Sequence, residues 1–372
     1  MSSIGQEMAP GGPVRVSAAP ERARPRAVAF WLLVSCALVF AMVVIGGITR
    51  LTESGLSITR WQPVEGVLPP LSDAAWEAAF ADYRATPEYR QVNSGMTLDE
   101  FRSIYWWEFI HRFWGRLIGV AFAVPMLWLA FRGRLPRWTR PHLVILFALG
   151  GLQGAIGWWM VQSGLVDRPD VSHYRLTVHL AIALAIYAYM LGLALRLLAG
   201  RAGVPAGPLA TAPRLHLLVF SVLLAATVAW GGLTAGSNAG WLYNEFPLMG
   251  GRLIPPDLLA LEPAWINLLE NGAAIQWAHR GLATLTLLAG LGLAVRLWTG
   301  RCGPSAVRAG GLLGLALLAQ YGLGIATLLS VVELPVAVVH QAMAVGVITA
   351  TVLVWHSCAS APARLRERPA PA

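Results

Sequence analysis

Eight long apolar runs punctuate the chain, at roughly 28–48, 107–131, 142–162, 175–198, 215–234, 273–298, 306–330 and 336–357. Each is long enough to cross a hydrocarbon core of about 30 Å as a helix. Inside lipid the backbone must satisfy its own hydrogen bonds, so runs of this length predict helices. The expected fold is an all-α integral membrane protein with eight transmembrane helices. Two long polar stretches interrupt the pattern, at about 49–106 and 235–272. In the first, Asp73–Arg84 alternates apolar and polar positions as a short amphipathic helix at the surface would. Trp106 and Trp107 stand where an interfacial aromatic belt is expected.

The pattern also repeats. Gly46-Gly47-Ile48-Thr49 ends the first run and Gly231-Gly232-Leu233-Thr234 ends the fifth, 185 residues later. His111-Arg112 opens the second and His279-Arg280 the sixth, 168 apart; His179 opens the fourth and His340 the eighth, 161 apart. The third run holds Gly150-Gly151-Leu152-Gln153-Gly154 and the seventh Gln320-Tyr321-Gly322-Leu323-Gly324. The eight helices are therefore expected as two tandem four-helix bundles. Each unit has an even number of helices, so the repeat is parallel, about an axis along the membrane normal.

Composition supports the membrane class. Of 372 residues, 56% are hydrophobic and 13% charged, about half the charged share of a soluble domain. The net charge is +9, and every basic residue is arginine. The arginines gather in alternate connections: Arg22, Arg24 and Arg26 before the first run, Arg132, Arg134 and Arg137 after the second, Arg201 and Arg214 after the fourth, and Arg364, Arg366 and Arg368 at the end. That side is expected to be cytoplasmic, with both termini there and the chain in a bacterial inner membrane. The charge is thus accounted for by topology, and no nucleic-acid partner is expected. The domain reading is a disordered cytoplasmic tail over 1–27, a first half over 28–198, a linker over 199–214, a second half over 215–357 and a tail over 358–372. Cys36, Cys302 and Cys358 share no external loop, so no disulfide is expected there, and no CxxC motif points to covalently attached haem.

The chemistry-bearing residues lie toward the opposite side. His111, His179, His279 and His340 each fall near the outer end of an even-numbered helix. A lone intramembrane histidine is most simply a helix–helix hydrogen-bonding residue. Four at one depth in a duplicated pattern read instead as two pairs of axial ligands for haem-type macrocycles. The glycines on the odd-numbered helices read first as close-packing positions, Gly150 and Gly154 forming a GxxxG pair, and second as room for a flat ring. Arg112, Arg116, Arg175 and Arg280 are candidates for the haem propionates, with snorkelling to headgroups as the competing role. Glu108 stands three residues before His111, whereas the corresponding position before His279 is Gln276. A carboxylate on one side only suggests that chemistry occurs in the first half and that the second half holds a cofactor. A di-haem cytochrome relaying electrons, for instance from quinol, is the alternative the histidines alone allow. A transporter would leave them without metal.

The run Gly46 to Ser57, with Trp61-Gln62-Pro63, Glu108-Phe109-Ile110-His111-Arg112 and Tyr174 to Leu180, closely resembles the CtaA family of haem A synthases. The likeness extends from about 28 to 357, and the long first external loop is similar to the alphaproteobacterial and mitochondrial branch. The resemblance implies oxidation of a methyl group of haem O to the formyl group of haem A by successive hydroxylations, with oxygen from water or dioxygen. It implies haem b on His279 and His340, substrate haem O on His111 and His179, and a catalytic role for Glu108. It also implies an electron donor, a source of haem O such as the farnesylating haem O synthase, and a possible homo-oligomer.

Overall fold

The computed structural model describes residues 24–60, 65–166, 169–200, 211–300 and 302–359. Its helices are α1 (Pro25–Leu51), α2 (Asp73–Arg84), α3 (Pro87–Gln91), α4 (Leu98–Phe131), α5 (Arg140–Val166), α6 (His173–Leu198), α7 (Thr211–Gly236), α8 (Asn267–Glu270), α9 (Gly272–Thr299), α10 (Pro304–Leu329) and α11 (Leu334–Ala359). Among the described residues, the eight helices α1, α4 to α7 and α9 to α11 are long and apolar enough to cross a membrane. These are the eight expected runs, and the chain is a multi-pass membrane protein. The tail proposed over 1–27 and the linker over 199–214 fall largely outside the described residues. Arg24, at the edge of the first, already donates its backbone N–H to Arg134 O at 3.0 Å.

The second span begins earlier than its apolar run. Thr97 caps α4 through a capping box with Glu100, which satisfies the free amides of a helix N-terminus. The extra turns carry Phe101 and Tyr105 out to meet α2 and α3, themselves capped by Ser72 and Thr86. The expected helix over 73–84 is present, and its apolar residues pack on α4. Trp76, Phe80 and Tyr83 are buried against α4, with Phe80 stacked on Phe101 at 5.0 Å and Tyr83 on Phe101 at 5.2 Å. Aromatic burial on a neighbouring helix is worth more than interfacial exposure of the same rings.

The spanning helices pack as α1, α4, α5 and α6 on one side and α7, α9, α10 and α11 on the other, with α6 against α7 and α11, and α1 against α11. Two apolar cores result. One joins Leu32, Phe122, Leu146 and Leu193; the other joins Phe220, Leu297, Leu313 and Val354. Both lie toward the arginine-rich end of the bundle, and smaller clusters around Phe101 and around Ile275 lie at the end bearing the long loops. The sides also differ. α9 and α10 pack along their length, with Leu317 against Gly290 and Tyr321 Oη 2.9 Å from Thr284 Oγ1. α4 and α5 scarcely meet. Aligning Gln153 with Gln320 sets Gly150 and Gly154 of α5 opposite Leu317 and Tyr321 of α10. A Cβ at Gly150, Gly151 or Gly154 would meet nothing within 4 Å, so the close packing expected at this GxxxG pair is absent. Without large side chains at Gly150 and Gly154, α5 approaches α4 only sparsely.

Candidate functional site

Each of the four histidines rests on a glycine of an adjoining helix. A Cβ at Gly46 would lie 3.2 Å from His111 Nε2. At Gly157, Gly231 and Gly324 it would lie 3.0 Å from Cε1 of His179, His279 and His340 respectively. Glycine is required where an imidazole ring approaches a helix backbone this closely. The glycines read from sequence as packing positions thus divide. Gly46, Gly157, Gly231 and Gly324 seat a ring, Gly47 and Gly232 let Gln341 and Thr177 close in, and Gly150, Gly151, Gly154 and Gly322 face open space. His111 and His179 lie close enough to act on each other electrostatically, and so do His279 and His340. The pairing expected from the sequence is therefore present in space.

Two half-buried imidazoles within electrostatic reach of one another are a donor set that fits a planar iron macrocycle. Among the described residues, no group of three or more His, Cys, Asp or Glu converges to hold a metal by itself. Buried polar atoms around the pairs lack protein partners: Oε1 of Gln153, Oε1 of Gln320 and Nδ1 of His340.

Glu108, only 2% exposed, is the most constrained of the candidate groups. Its Oε1 accepts Arg112 Nε at 3.0 Å and Nη2 at 2.6 Å, and its Oε2 accepts Ser57 Oγ and the Ile58 amide, each at 2.7 Å. Arg112 continues to Ile58 O at 2.7 Å and Arg60 O at 3.3 Å. The pair clamps the chain that leaves α1, whose turn is made by Glu53 at φ 52°. The same clamp recurs after α7. Asn238, 185 residues after Glu53, has φ 59°. Arg280 Nη2 donates to Tyr243 O at 2.8 Å, and Tyr243 stands 185 residues after Ile58. Arg280 Nη1 reaches Glu245 O at 3.0 Å and Leu248 O at 3.1 Å, while Gln276 Nε2 donates to Tyr243 O at 3.1 Å.

The propionate candidates are accordingly placed on other partners. Arg112 and Arg280 serve the clamps. Arg175 donates to Trp159 O at 2.6 Å and covers the Trp159 ring at 4.4 Å. Arg116 lies one turn beyond Arg112 on α4, half-buried. Sequence reasoning missed the clamps, although an arginine four residues after Glu108 and after Gln276 was a readable i,i+4 signal. It also missed two ring partners: Gln153 Nε2, 3.2 Å from His179 Nδ1, and Thr227 O, 3.2 Å from His279 Nδ1.

Above the first pair, the α2–α3 cap buries a second carboxyl. Glu88 is 5% exposed and its Oε2 has no hydrogen-bond partner. Burial, the largest cause, pushes this carboxyl up to about 8; nearby Tyr83 opposes the rise, and Glu108, Glu53 and Asp170 add to it.

Relatives of this chain carry one description throughout. A protein called heme A synthase from Rhodospirillum centenum is 53% identical over 341 residues, covering 91% of this chain and 90% of its own. Heme A synthase from Paramagnetospirillum magneticum is 45% identical over 339 residues, 89% of this chain and 93% of its own. That from Nitrosospira multiformis is 48% identical over 339 residues, 88% and 92% respectively. The COX15-CtaA model, described as cytochrome oxidase assembly protein, matches residues 29–352. With nearly the whole membrane bundle inside that match, the chain belongs to the COX15-CtaA family.

Proposed function

We propose that this protein is a haem A synthase: it oxidises a methyl substituent of haem O to the formyl group of haem A, a four-electron change that adds one oxygen atom. The observation that carries the reading is the asymmetry between two similar sites. Both have a histidine pair seated on glycine and an arginine clamp, but only the first has a buried carboxylate in the clamp.

In this reading His279 and His340 hold haem b, and His111 and His179 receive haem O. The bound iron supplies redox chemistry, and the chain's own groups bind, orient and set the charge around it. Glu108 is one turn from His111 on the same helix face. Four donors surround its carboxylate: Arg112 Nε and Nη2, Ser57 Oγ and the Ile58 amide. Its role is then a fixed negative charge that stabilises positive charge developing on the substrate. Arg112 holds that charge in place instead of binding a propionate. The looser seam between α4 and α5, bare of large side chains at Gly150 and Gly154, suits a site that admits a substrate from lipid.

The two bundles are read as a parallel tandem repeat in a bacterial inner membrane, with the arginine-rich end and both termini cytoplasmic. A separate redox partner exchanges electrons with the protein, as an acceptor where water supplies the oxygen and as a donor where dioxygen does, and haem O arrives from the synthase that makes it. The reading is tested with protein expressed alongside a haem O source. Extraction should yield haem b with haem A or hydroxylated haem O, and Glu108→Ala should keep haem b but yield unconverted haem O. Haem b as the sole pigment would instead favour the electron-relaying cytochrome.

A further inference from the structure

The two ring nitrogens of a neutral imidazole cannot both be free. One carries the proton, and only the other can bind iron. Which one is protonated follows from the partner each nitrogen meets. His279 Nδ1 lies 3.2 Å from Thr227 O. A carbonyl only accepts, so Nδ1 carries the proton and Nε2 is left with its lone pair. Gln320 Nε2 lies 3.5 Å from His340 Nε2. At that distance the contact assigns no tautomer to His340. His279 is set in the ligating tautomer.

His179 is set the other way. Gln153 Nε2 lies 3.2 Å from His179 Nδ1, and the same nitrogen donates to His179 O at 2.9 Å. The second bond fixes the orientation of the amide, because turning it over would press its oxygen against a carbonyl oxygen. Nδ1 therefore faces a donor and must present its lone pair, and the ring proton sits on Nε2. Gln153 Oε1 is buried and unpartnered, so the amide is held by its nitrogen alone and has an unused acceptor beside the ring.

Resting on the reading that the histidine pairs ligate haem iron, we infer that Gln153 is a positioning residue that opposes ligation by His179 and so makes the first site releasable. For His179 Nε2 to bind iron, the proton must move to Nδ1, and the Gln153 amide must rotate to offer Oε1. That rotation gives up the bond to His179 O. When pigment leaves, the bond re-forms and His179 returns to the resting tautomer. His279, with a carbonyl at its Nδ1, meets no such opposition, as suits a cofactor that stays. A carbonyl at one Nδ1 and an amide nitrogen at the other separate a permanent ligand from an exchangeable one.

The test uses the full-length protein in detergent, loaded with haem O, and follows transfer of that pigment to excess apomyoglobin by absorbance. Gln153→Glu offers an acceptor to Nδ1–H and should slow transfer about ten- to hundredfold, the usual reach of a partner of a metal-bound histidine. Gln153→Leu removes the opposing donor without adding charge and should slow it less. In both, haem b per chain should be unchanged, which shows an intact fold. Nitrogen-15 NMR of the haem-free protein should find the His179 proton on Nε2, moving to Nδ1 in Gln153→Glu. Transfer at the original rate from both variants, with haem b retained, would overturn the role of Gln153. Failure of the unsubstituted protein to take up any haem O would instead overturn the reading of the first pair, and the inference with it.

Discussion

Glu108 and Arg112 form a two-pronged buried ion pair, Nε at 3.0 Å and Nη2 at 2.6 Å from the same carboxylate oxygen. The pair ties the segment leaving α1 to the helix that bears His111. Under the proposed function, a single residue carries two duties, loop anchor and charge beside the reacting site. Glu108→Ala should abolish conversion and also strand Arg112 in a poorly solvated place, at a cost of about 3–5 kcal/mol. Glu108→Gln should still bond Ile58 and Arg112 while lacking the charge. Thermal unfolding in detergent, read beside pigment conversion, separates the duties: the glutamine variant should be the more stable of the two, and both should be inactive.

The clamp on the other side has no carboxylate, so its loss should be local. Arg280→Met removes donors from Tyr243 O, Glu245 O and Leu248 O. Carbonyls left without partners cost about 1–3 kcal/mol each where water cannot replace them. Hydrogen exchange should rise over 243–248 while the segment 54–60 keeps its protection. Equal loosening of both segments would show that the clamps are not independent.

Glycines that seat imidazoles should be far more sensitive than those facing open space. Gly324→Val would press a branched side chain into His340 and should eliminate haem b, leaving uptake by the first site. Gly157→Val should do the reverse. A Cβ at Gly154 would meet nothing within 4 Å, so Gly154→Ala should keep both pigments. Pigment content of the three variants checks all of these.

Glu88 predicts a pH dependence. In the unfolded chain a glutamate titrates near 4.3, whereas burial first of all pushes Glu88 up to about 8 in the fold. Between those values the unfolded state has lost a proton that the folded state keeps. Stability from this group is therefore full below about 4.3, falls as pH rises through the window, and is flat above about 8. Glu88→Gln, neutral throughout, should melt higher than the unsubstituted protein at alkaline pH, with the gap closing as pH is lowered. A gap that does not vary with pH would place Glu88 outside this account.

Much of this was legible in the sequence, for reasons that are physical. Spanning helices must be long and apolar, so all eight runs appear as helices, and the offsets of 185, 168 and 161 related the histidines of one half to those of the other. The outward extension of α4 was hidden because Leu98 to Tyr105 are soluble-type residues whose apolar positions are buried by α2, not by lipid. The fate of the glycines was also hidden. Gly150 and Gly157 share a helix, yet one faces open space and the other a histidine ring, and only the three-dimensional packing of α5 distinguishes them. The clamps were hidden because a buried arginine satisfied by loop carbonyls resembles, in sequence, one waiting for a propionate.

The most direct test of the account is the haem inventory of the purified protein expressed with a haem O source. The account predicts one haem b per chain lost only on replacing His279 or His340, together with haem A or hydroxylated haem O lost on replacing His111 or His179. Two haem b groups per chain, with no oxidised haem O product from the unsubstituted protein, would contradict it.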